Sequence, residues 1–391
     1  MTIHPAGVPS SIPSGNPRIA IFIPTFGDGG VEHMLVNLAR GFADFGLTVD
    51  FLVKDRHLPY LPTLGEHVNL VELRTAKPRE LLERLLTYLR QAHPAILMSA
   101  KGRDDRLTVQ TKRHLSHPPR IFLRAGTNIT GRLSGRQRNP FKRWLEHRAL
   151  RRLYAQADGV ICVSHGVADD LARITGLSRD FMQVLRNPVV LPEMVAKAQA
   201  PVDHPWLAPD QPPVILGAGG LRRQKNFPLL IRAFARVRAQ RPCRLLILGE
   251  GRQRERLLEL AGELGVGDAV QLPGFIDNPY AYMARAALFV LSSHWEGSPN
   301  VLAEALAVGT PVVSTDCPSG PREILQGGRY GRLVPVDDEA ALSHAIAAAL
   351  DVRSDPAQLR MAVHEYTLAN SSAAYLRAFG LLQDSRCANP T

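Results

Sequence analysis

Two glutamates in the second half of the chain have the types and spacing needed to bind hydroxyl groups. Glu296 and Glu304 bound the run EGSPNVLAE, which follows the apolar run 287–291. Glu296 is expected in a loop at the mouth of a site, and Glu304 about a turn and a half inside the helix that follows. Carboxylates at these two depths can accept hydrogen bonds from a ligand that lies across the helix start.

The helix start between the two glutamates is predicted to bind phosphate. Ser298 can cap a helix, and Pro299 suits its first position. Such an end presents unpaired N–H groups and the positive end of the helix dipole to a phosphate or diphosphate. A capped surface helix with two solvated glutamates remains an equal alternative from spacing alone. The residues predicted to bind a sugar diphosphate here are Ser298, Pro299, Asn300, Val301 and Glu304.

Two further elements could contact the same anion. Lys225 follows the predicted strand 214–217, and its ammonium group could stabilise charge that develops on a leaving diphosphate. Gly29 and Gly30 follow the predicted strand 19–24, and paired glycines let backbone N–H groups approach a phosphate closely. Taken singly, a solvated loop lysine and a glycine turn explain these residues better.

Together these segments resemble glycosyltransferase family 4, whose members are retaining enzymes with the GT-B fold. The run 296–304 is similar to the E-x7-E motif of the family, and 221–230 is similar to its lysine-bearing loop. Segments 303–313 and 26–32 resemble its helix with a glycine turn and its Gly-Gly loop. The resemblance covers residues 19–380, with the motifs in the expected order.

The resemblance implies two facing Rossmann-like domains with the site in the cleft between them. It implies that Glu304 holds ribose hydroxyls, that Lys225 and the helix start bind the diphosphate, and that Glu296 contacts the donor sugar. Glu296 and Lys225 would be the catalytic residues. The chain lacks an Asp-x-Asp element, which agrees with a site that needs no metal and no cofactor besides the nucleotide sugar as co-substrate.

Two positions depart from the family pattern. The family usually carries an arginine five residues before its lysine, where this chain has Gly220, and Arg222 or Arg223 could replace it. Many members have a histidine in a first-domain loop, where this chain reads RAGTN over 124–128. His165 is a candidate substitute, although a helix cap is the better explanation for that residue.

The order of predicted elements indicates two α/β domains. The chain has 391 residues and a mass of 42.9 kDa, enough for two cores. Short β-rich runs alternate with helical patterns in both halves, as in parallel sheets. The predicted segments are a disordered tail (1–18), a Rossmann-like acceptor domain (19–186), a proline-rich linker without secondary structure (187–212), a Rossmann-like donor domain (213–371), and a last segment (372–391) whose helix, as the resemblance implies, crosses back to the first domain.

A basic amphipathic helix is predicted to begin at Asn139-Pro140. Its cationic residues are Lys142, Arg143, Arg148, Arg151 and Arg152. Its apolar residues, at helical spacing, are Phe141, Trp144, Leu145, Ala149, Leu150, Leu153 and Tyr154. Such a helix can lie on an anionic membrane. For the apolar residues we favour burial in the domain core, which leaves the basic face free to contact lipid headgroups or a lipid diphosphate.

The net charge of the chain is compatible with several classes of partner and does not distinguish among them. Lys and Arg number 47 against 36 Asp and Glu, a net charge of +11. This excess suits phosphorylated substrates, an anionic membrane surface or nucleic acid. Phe275, Tyr280 and Tyr282 could stack on bases, but no basic stripe is interleaved with them, so core packing is the preferred interpretation. We expect no nucleic-acid partner.

The combined sequence prediction is a cytoplasmic enzyme, peripheral at most on the inner face of the cell membrane. No apolar run approaches the ~18 residues that span a bilayer, and the N-terminal segment lacks the pattern of a signal peptide. We expect transfer of a hexose or N-acetylhexosamine from a nucleotide diphosphate, best UDP, to a hydroxyl of a glycan or lipid-linked acceptor, with retention at the anomeric carbon. The run 315–325 resembles members that build bacterial surface polysaccharides. The alternatives are a same-fold nucleotide-sugar epimerase or hydrolase and a basic nucleic-acid-binding protein.

Overall fold

The computed structural model of the protein describes residues 16–24, 30–55, 61–75, 77–133 and 139–383. The strands of the first domain are β1 (Arg18–Phe22), β2 (Thr48–Val53), β3 (Val68–Glu72), β4 (Ile96–Ser99), β5 (Arg120–Ala125), β6 (Gly159–Cys162) and β7 (Met182–Val184). They form a parallel sheet in the order β3-β2-β1-β4-β5-β6-β7. The helices around it are α1 (Gly30–Asp44), α2 (Pro78–Ala92), α3 (Gly102–Gln110), α4 (Ile129–Leu133), α5 (Pro140–Tyr154) and α6 (His165–Thr175).

A second parallel sheet follows an ordered connection that contains α7 (Met194–Gln199). Its strands are β8 (Val214–Ala218), β9 (Arg244–Leu248), β10 (Val270–Gly274), β11 (Leu288–Leu291), β12 (Val312–Thr315) and β13 (Arg332–Val334), in the order β10-β9-β8-β11-β12-β13. The remaining helices are α8 (Phe227–Arg238), α9 (Arg254–Glu263), α10 (Pro279–Arg285), α11 (Asn300–Val308), α12 (Pro321–Ile324), α13 (Glu339–Leu350), α14 (Pro356–Met361) and α15 (Leu368–Ala378). The predicted fold class, two Rossmann-like domains, is confirmed.

The proline-rich segment 187–212 is not a bare linker, and the prediction that it carries no secondary structure is wrong. It contains α7, and its apolar residues Val189, Met194 and Trp206 are buried in a core of the second domain. Prolines interrupt regular structure here, but the side chains between them still bury apolar surface. The segment therefore packs as an ordered part of the second domain.

The last helix returns the chain to the first domain. Tyr375 and Phe379 are fully buried in the core that α1 forms with the first sheet. The helix begins at Leu368, four residues before the predicted boundary at 372. The earlier start follows from Thr367, whose side chain caps the helix.

Three strands have a weak signal in the sequence, and all three share one cause. β3, β7 and β13 lie at the sheet edges and are only partly buried. An edge strand needs few apolar residues, so its sequence carries a weak periodic signal.

Candidate active site

The crevice at the carboxyl ends of β8 and β11 brings the predicted catalytic residues together. These neighbouring strands lie where the order of the second sheet reverses, which is the preferred ligand site of an open parallel sheet. Lys225 lies in the loop after β8, and Glu296 lies in the loop after β11. The two loops are tied by the Ser292 hydroxyl, which donates to the carbonyl of Lys225 at 2.8 Å.

Lys225 and Glu296 form an ion pair in this crevice. The distance from Lys225 Nζ to Glu296 Oε1 is 2.7 Å, and the two side chains are 17% and 7% exposed. Ser293 Oγ donates to the same carboxylate oxygen at 2.7 Å, and Gln224 Nε2 donates to Oε2 at 3.2 Å. The carboxylate is therefore held in one orientation, and the ammonium group is held at the mouth of the site.

Gly219 leaves room for the side chain of Lys225 to pack against the backbone of the loop. Its φ is +141°, and a Cβ there would lie 2.9 Å from Lys225 Cε. A Cβ at Gly220, where the family carries arginine, would lie 3.2 Å from Arg222 Nε. Of the two proposed substitutes for that arginine, Arg222 is thus the one whose guanidinium lies beside Gly220.

Glu304 lies in the middle of α11, and only burial and the charge of Lys225 act on its carboxyl group within the described chain. The residue is 7% exposed, and its carboxyl accepts no hydrogen bond from any residue that the structure describes. Burial raises the pKa of Glu304 to about 7, and the positive charge of Lys225 opposes that rise. A buried carboxyl group without a donor is costly. The position therefore has hydrogen-bonding capacity that a hydroxyl group of a ligand can fill.

The start of α11 differs by one residue from the prediction. Pro299 occupies the N-cap position in an extended conformation, and Asn300 is the first helical residue. Ser298 is then one residue too far out to cap the helix, and no side-chain cap is found among the described residues. The N–H groups of the first turn, at Asn300 and Val301, are therefore not used by a described capping side chain and could bind an anion.

The start of α1 in the first domain contacts this helix start. Asn300 Nδ2 donates to the carbonyl of Gly30, the first residue of α1, at 3.2 Å. Gly29, the other glycine predicted to approach phosphate, lies outside the described residues. Gly30 therefore lies beside the helix start, and its contact with a phosphate stays a prediction.

The loop that carries Glu296 is packed tightly against the first domain. Asn128 N donates to the carbonyl of Glu296 at 3.1 Å, and Ser164 Oγ donates to that of Gly297 at 2.7 Å. A Cβ at Gly297 would lie 2.2 Å from Gly126 O, so only glycine fits there. The RAGTN loop thus supports the loop that carries Glu296, a contact that its sequence did not reveal.

His165 does not cap α6, contrary to the preferred explanation. Ser164 is the capping residue and accepts from Val167 N. The N–H groups of His165 and Gly166 donate to the Glu323 carboxylate of the second domain at 2.9 and 3.0 Å. His165 is exposed beside that interdomain contact.

Helix α5 exposes most of the apolar face that was expected in the core. Phe141, Trp144 and Leu145 are 63%, 52% and 45% exposed, whereas Leu153 and Tyr154 are buried. The prediction of burial is therefore wrong for Phe141, Trp144 and Leu145, and also for Ala149, which is exposed. The rings of Phe141 and Trp144 stack at a centroid distance of 5.9 Å. The predicted cationic residues, all exposed, are Lys142, Arg143, Arg148, Arg151 and Arg152.

Phe275 is also exposed, at 57%, so core packing is the wrong explanation for it. It follows β10, whose alternating burial points this position outward. Tyr280 is buried as expected.

In the described part of the chain no group of three or more His, Cys, Asp or Glu side chains could hold a metal ion. None of the described helices is long and apolar enough to span a membrane.

Comparison with known families matches both halves of the chain. Residues 28–191 match the profile described as Glycosyltransferase Family 4, and residues 202–367 match the one described as Glycosyl transferases group 1. Both matches agree with the resemblance seen in the motifs.

Two curated bacterial proteins are similar over most of their length. An N-acetylgalactosamine-N,N'-diacetylbacillosaminyl-diphospho-undecaprenol 4-alpha-N-acetylgalactosaminyltransferase of Campylobacter jejuni is 30% identical over 346 residues, 85% of this chain and 90% of that protein. The lipopolysaccharide core biosynthesis glycosyltransferase LpsE of Rhizobium meliloti is 28% identical over 82% of this chain and 85% of its own.

Among the solved structures with the same fold, two align with this chain over the whole of their own length. The lipopolysaccharide outer core galactosyltransferase WaaB in its apo form has a TM-score of 0.70 at 19% identity and covers 93% of this chain. Anabaena HepE in complex with UDP and glucose has a TM-score of 0.75 at 16% identity and covers 94%. At these identities the similarity supports the fold alone.

Proposed function

Because this chain belongs to glycosyltransferase family 4, we propose that it transfers a hexose or N-acetylhexosamine from UDP to a hydroxyl of a glycan or lipid-linked acceptor, with retention at the anomeric carbon. The main support is the buried Glu304 carboxyl group, which has no hydrogen-bond donor among the described residues. Vicinal ribose hydroxyls would supply such donors. UDP is the favoured carrier because the HepE structure of the same fold contains it.

In the proposed mechanism, Lys225 acts on the leaving diphosphate and Glu296 acts on the donor sugar, on either side of the bond that breaks. As the bond between the anomeric carbon and the diphosphate oxygen breaks, its electron pair leaves with UDP. Lys225 and the N–H groups at the start of α11 stabilise that negative charge. Glu296, fixed by Ser293 and Gln224, orients the donor-sugar hydroxyls so that the acceptor oxygen can bond to the anomeric carbon. The proton of the acceptor hydroxyl passes to the departing diphosphate oxygen.

The acceptor is proposed to be a lipid-linked or surface glycan of bacteria. The Campylobacter relative is named for a diphospho-undecaprenol substrate, and the Rhizobium relative for lipopolysaccharide core biosynthesis. A lipid-linked acceptor would lie at a membrane, where the exposed aromatic and cationic residues of α5 could bind.

The proposed donor can be tested by thermal shift against UDP-, GDP- and ADP-sugars. We expect saturable stabilisation by a UDP-sugar that is unchanged in EDTA, because the proposed site neutralises the diphosphate with Lys225 and a helix start. Product analysis with an acceptor mimic separates a transferase from an epimerase or hydrolase. Salt-sensitive binding of duplex DNA or RNA, without stabilisation by any sugar nucleotide, would contradict the proposal.

Helix α5 is expected to bind anionic but not neutral liposomes in co-sedimentation. Its basic residues would each contribute about 1 kcal/mol near an anionic surface, and the exposed rings of Phe141 and Trp144 could enter the interface. The double variant Arg143→Glu/Arg148→Glu should bind weakly, and about 0.5 M salt should release the wild-type protein.

The matched control reverses Arg252 and Arg256, which are exposed in the second domain far along the chain from α5. That control should sediment like the wild type, and both double variants should retain activity on a water-soluble acceptor mimic. Equal binding to neutral and anionic vesicles, or binding to neither, would show that α5 is ordinary solvated surface.

A further inference from the structure

A buried arginine that has no acidic partner among the described residues lies where the two domains meet. Arg124, at the end of β5, is 3% exposed. Its Nη2 donates to Asn187 Oδ1 at 2.6 Å and its Nε to the Tyr375 hydroxyl at 3.3 Å. Its buried Nη1 has no hydrogen-bond partner in the described chain. Burying a cation on these terms is costly, so Arg124 needs an explanation beyond packing.

A chain of hydrogen bonds leads from this arginine to the candidate active site. Asn187, itself 3% exposed, donates through Nδ2 to Asn300 Oδ1 at 2.7 Å. Asn300 then donates through its own Nδ2 to the carbonyl of Gly30 at 3.2 Å. The chain thus starts in the first sheet, passes through the connection between the domains and joins the starts of α11 and α1.

The chemistry of arginine fixes the direction of every bond in this chain. A guanidinium group can only donate, so Asn187 must turn its oxygen toward Arg124 and its NH₂ toward Asn300. Asn300 must then accept with its oxygen, which leaves its NH₂ for Gly30. Without Arg124, either amide could rotate by 180° and the chain would lose its single polarity.

We propose that Arg124 and Asn187 are positioning residues that hold the first turn of α11 against the start of α1 at Gly30. Their effect on Asn300 sets the distance between the start of α11, which the proposed function assigns to the diphosphate, and Gly30, which the sequence predicts to approach the same anion. That a diphosphate binds there rests on the proposed function, whereas the position of α11 can be measured in the free protein.

The variant Asn187→Asp separates positioning from stability. Aspartate still accepts from Arg124 and adds an opposite charge, but it has no N–H group for Asn300. We expect an unchanged or higher Tm, together with about fivefold faster hydrogen–deuterium exchange at the start of α11. Arg124→Met, which keeps the side-chain volume, should give the same local change, because Asn187 loses the donor that fixes its orientation.

The matched control is Asn37→Ala, at the same junction. Asn37 donates to the carbonyl of Pro188 at 3.0 Å and has no bond to Asn300. We expect a lower Tm without faster exchange at α11. Unchanged exchange in Asn187→Asp, or equally fast exchange in Asn37→Ala, would overturn the proposal.

Kinetics give a second readout. With a UDP-sugar, Asn187→Asp should lower kcat about tenfold and change KM less, because misplacement of the diphosphate site affects the transition state most. Wild-type kcat in that variant would contradict positioning. Failure of the wild-type protein to bind any sugar nucleotide would instead contradict the proposed function, and the exchange experiment would still decide the positioning role.

Discussion

Replacing Lys225 with alanine is expected to lower transferase turnover by about 10²–10³-fold, the usual effect of removing one group that stabilises transition-state charge. The ammonium group is at the mouth of the site, only 17% exposed and 2.7 Å from Glu296. Charge on a departing diphosphate would be stabilised there with little competition from water. Initial rates with a UDP-sugar and an acceptor mimic would measure the effect.

Two controls separate charge from fold in this experiment. Lys225→Arg keeps the positive charge and should retain more activity than the alanine variant. Lys112→Ala removes a lysine that pairs with Asp158 on the first domain, outside the crevice, and should leave turnover unchanged. Wild-type turnover in Lys225→Ala would contradict the role assigned to the lysine.

The variant Glu296→Ala should lower turnover more than it lowers donor affinity, because Glu296 is proposed to orient the donor sugar.

The affinity for a UDP-sugar is expected to increase as pH rises through about 7. Burial raises the pKa of Glu304 to about 7, so the carboxyl group is largely protonated below that pH. Ribose hydroxyls donate best to the ionised form, and donor binding should therefore strengthen as the proton leaves. The change should approach tenfold per pH unit below the pKa. Titration calorimetry between pH 5.5 and about 8.5 would measure it.

Variants at Glu304 make the source of this pH dependence visible. Glu304→Ala should weaken donor binding by ~1–3 kcal/mol, because the ribose hydroxyls lose their acceptor. Glu304→Gln should bind with an affinity that no longer changes near pH 7, whereas Glu263→Gln on the surface of α9 should behave as the wild type. The same slope in Glu304→Gln would assign the titration to another group.

The stability of the free protein should change in the opposite direction. The native state keeps the Glu304 proton between the ordinary pKa of 4.5 and about 7, whereas the unfolded chain releases it. The stabilising contribution of this carboxyl group is complete below pH 4.5 and is lost as pH rises through about 7. Glu304→Gln should remove that part of the pH dependence.

The sequence was informative where local pattern decides structure. Alternating apolar runs and helical periods predicted both sheets, and the depth of Glu304 followed from its distance to the helix start. The pairing of Lys225 with Glu296 could not be predicted, because it joins loops of two strands that become neighbours only in the folded sheet. The contacts of Asn300 with Asn187 and Gly30 depend on the arrangement of the two domains, which local pattern does not encode.

Helix α5 and the segment 187–212 show two other limits. Periodicity predicts which residues of a helix share a face, but not whether another element covers that face. Phe141 and Trp144 therefore looked like core residues and are exposed. Proline density argued against structure in 187–212, yet Trp206 is buried there because packing needs apolar side chains and not a long helix.

The central claim is that a sugar nucleotide binds in the cleft through Lys225 and Glu304. Its most direct test is calorimetric titration of a UDP-sugar, in EDTA, into the wild-type protein and into the double variant Lys225→Ala/Glu304→Ala. We predict saturable single-site heat for the wild type and none for a folded double variant. Equal binding by both proteins, or no saturable binding of any sugar nucleotide by the wild type, would contradict the claim.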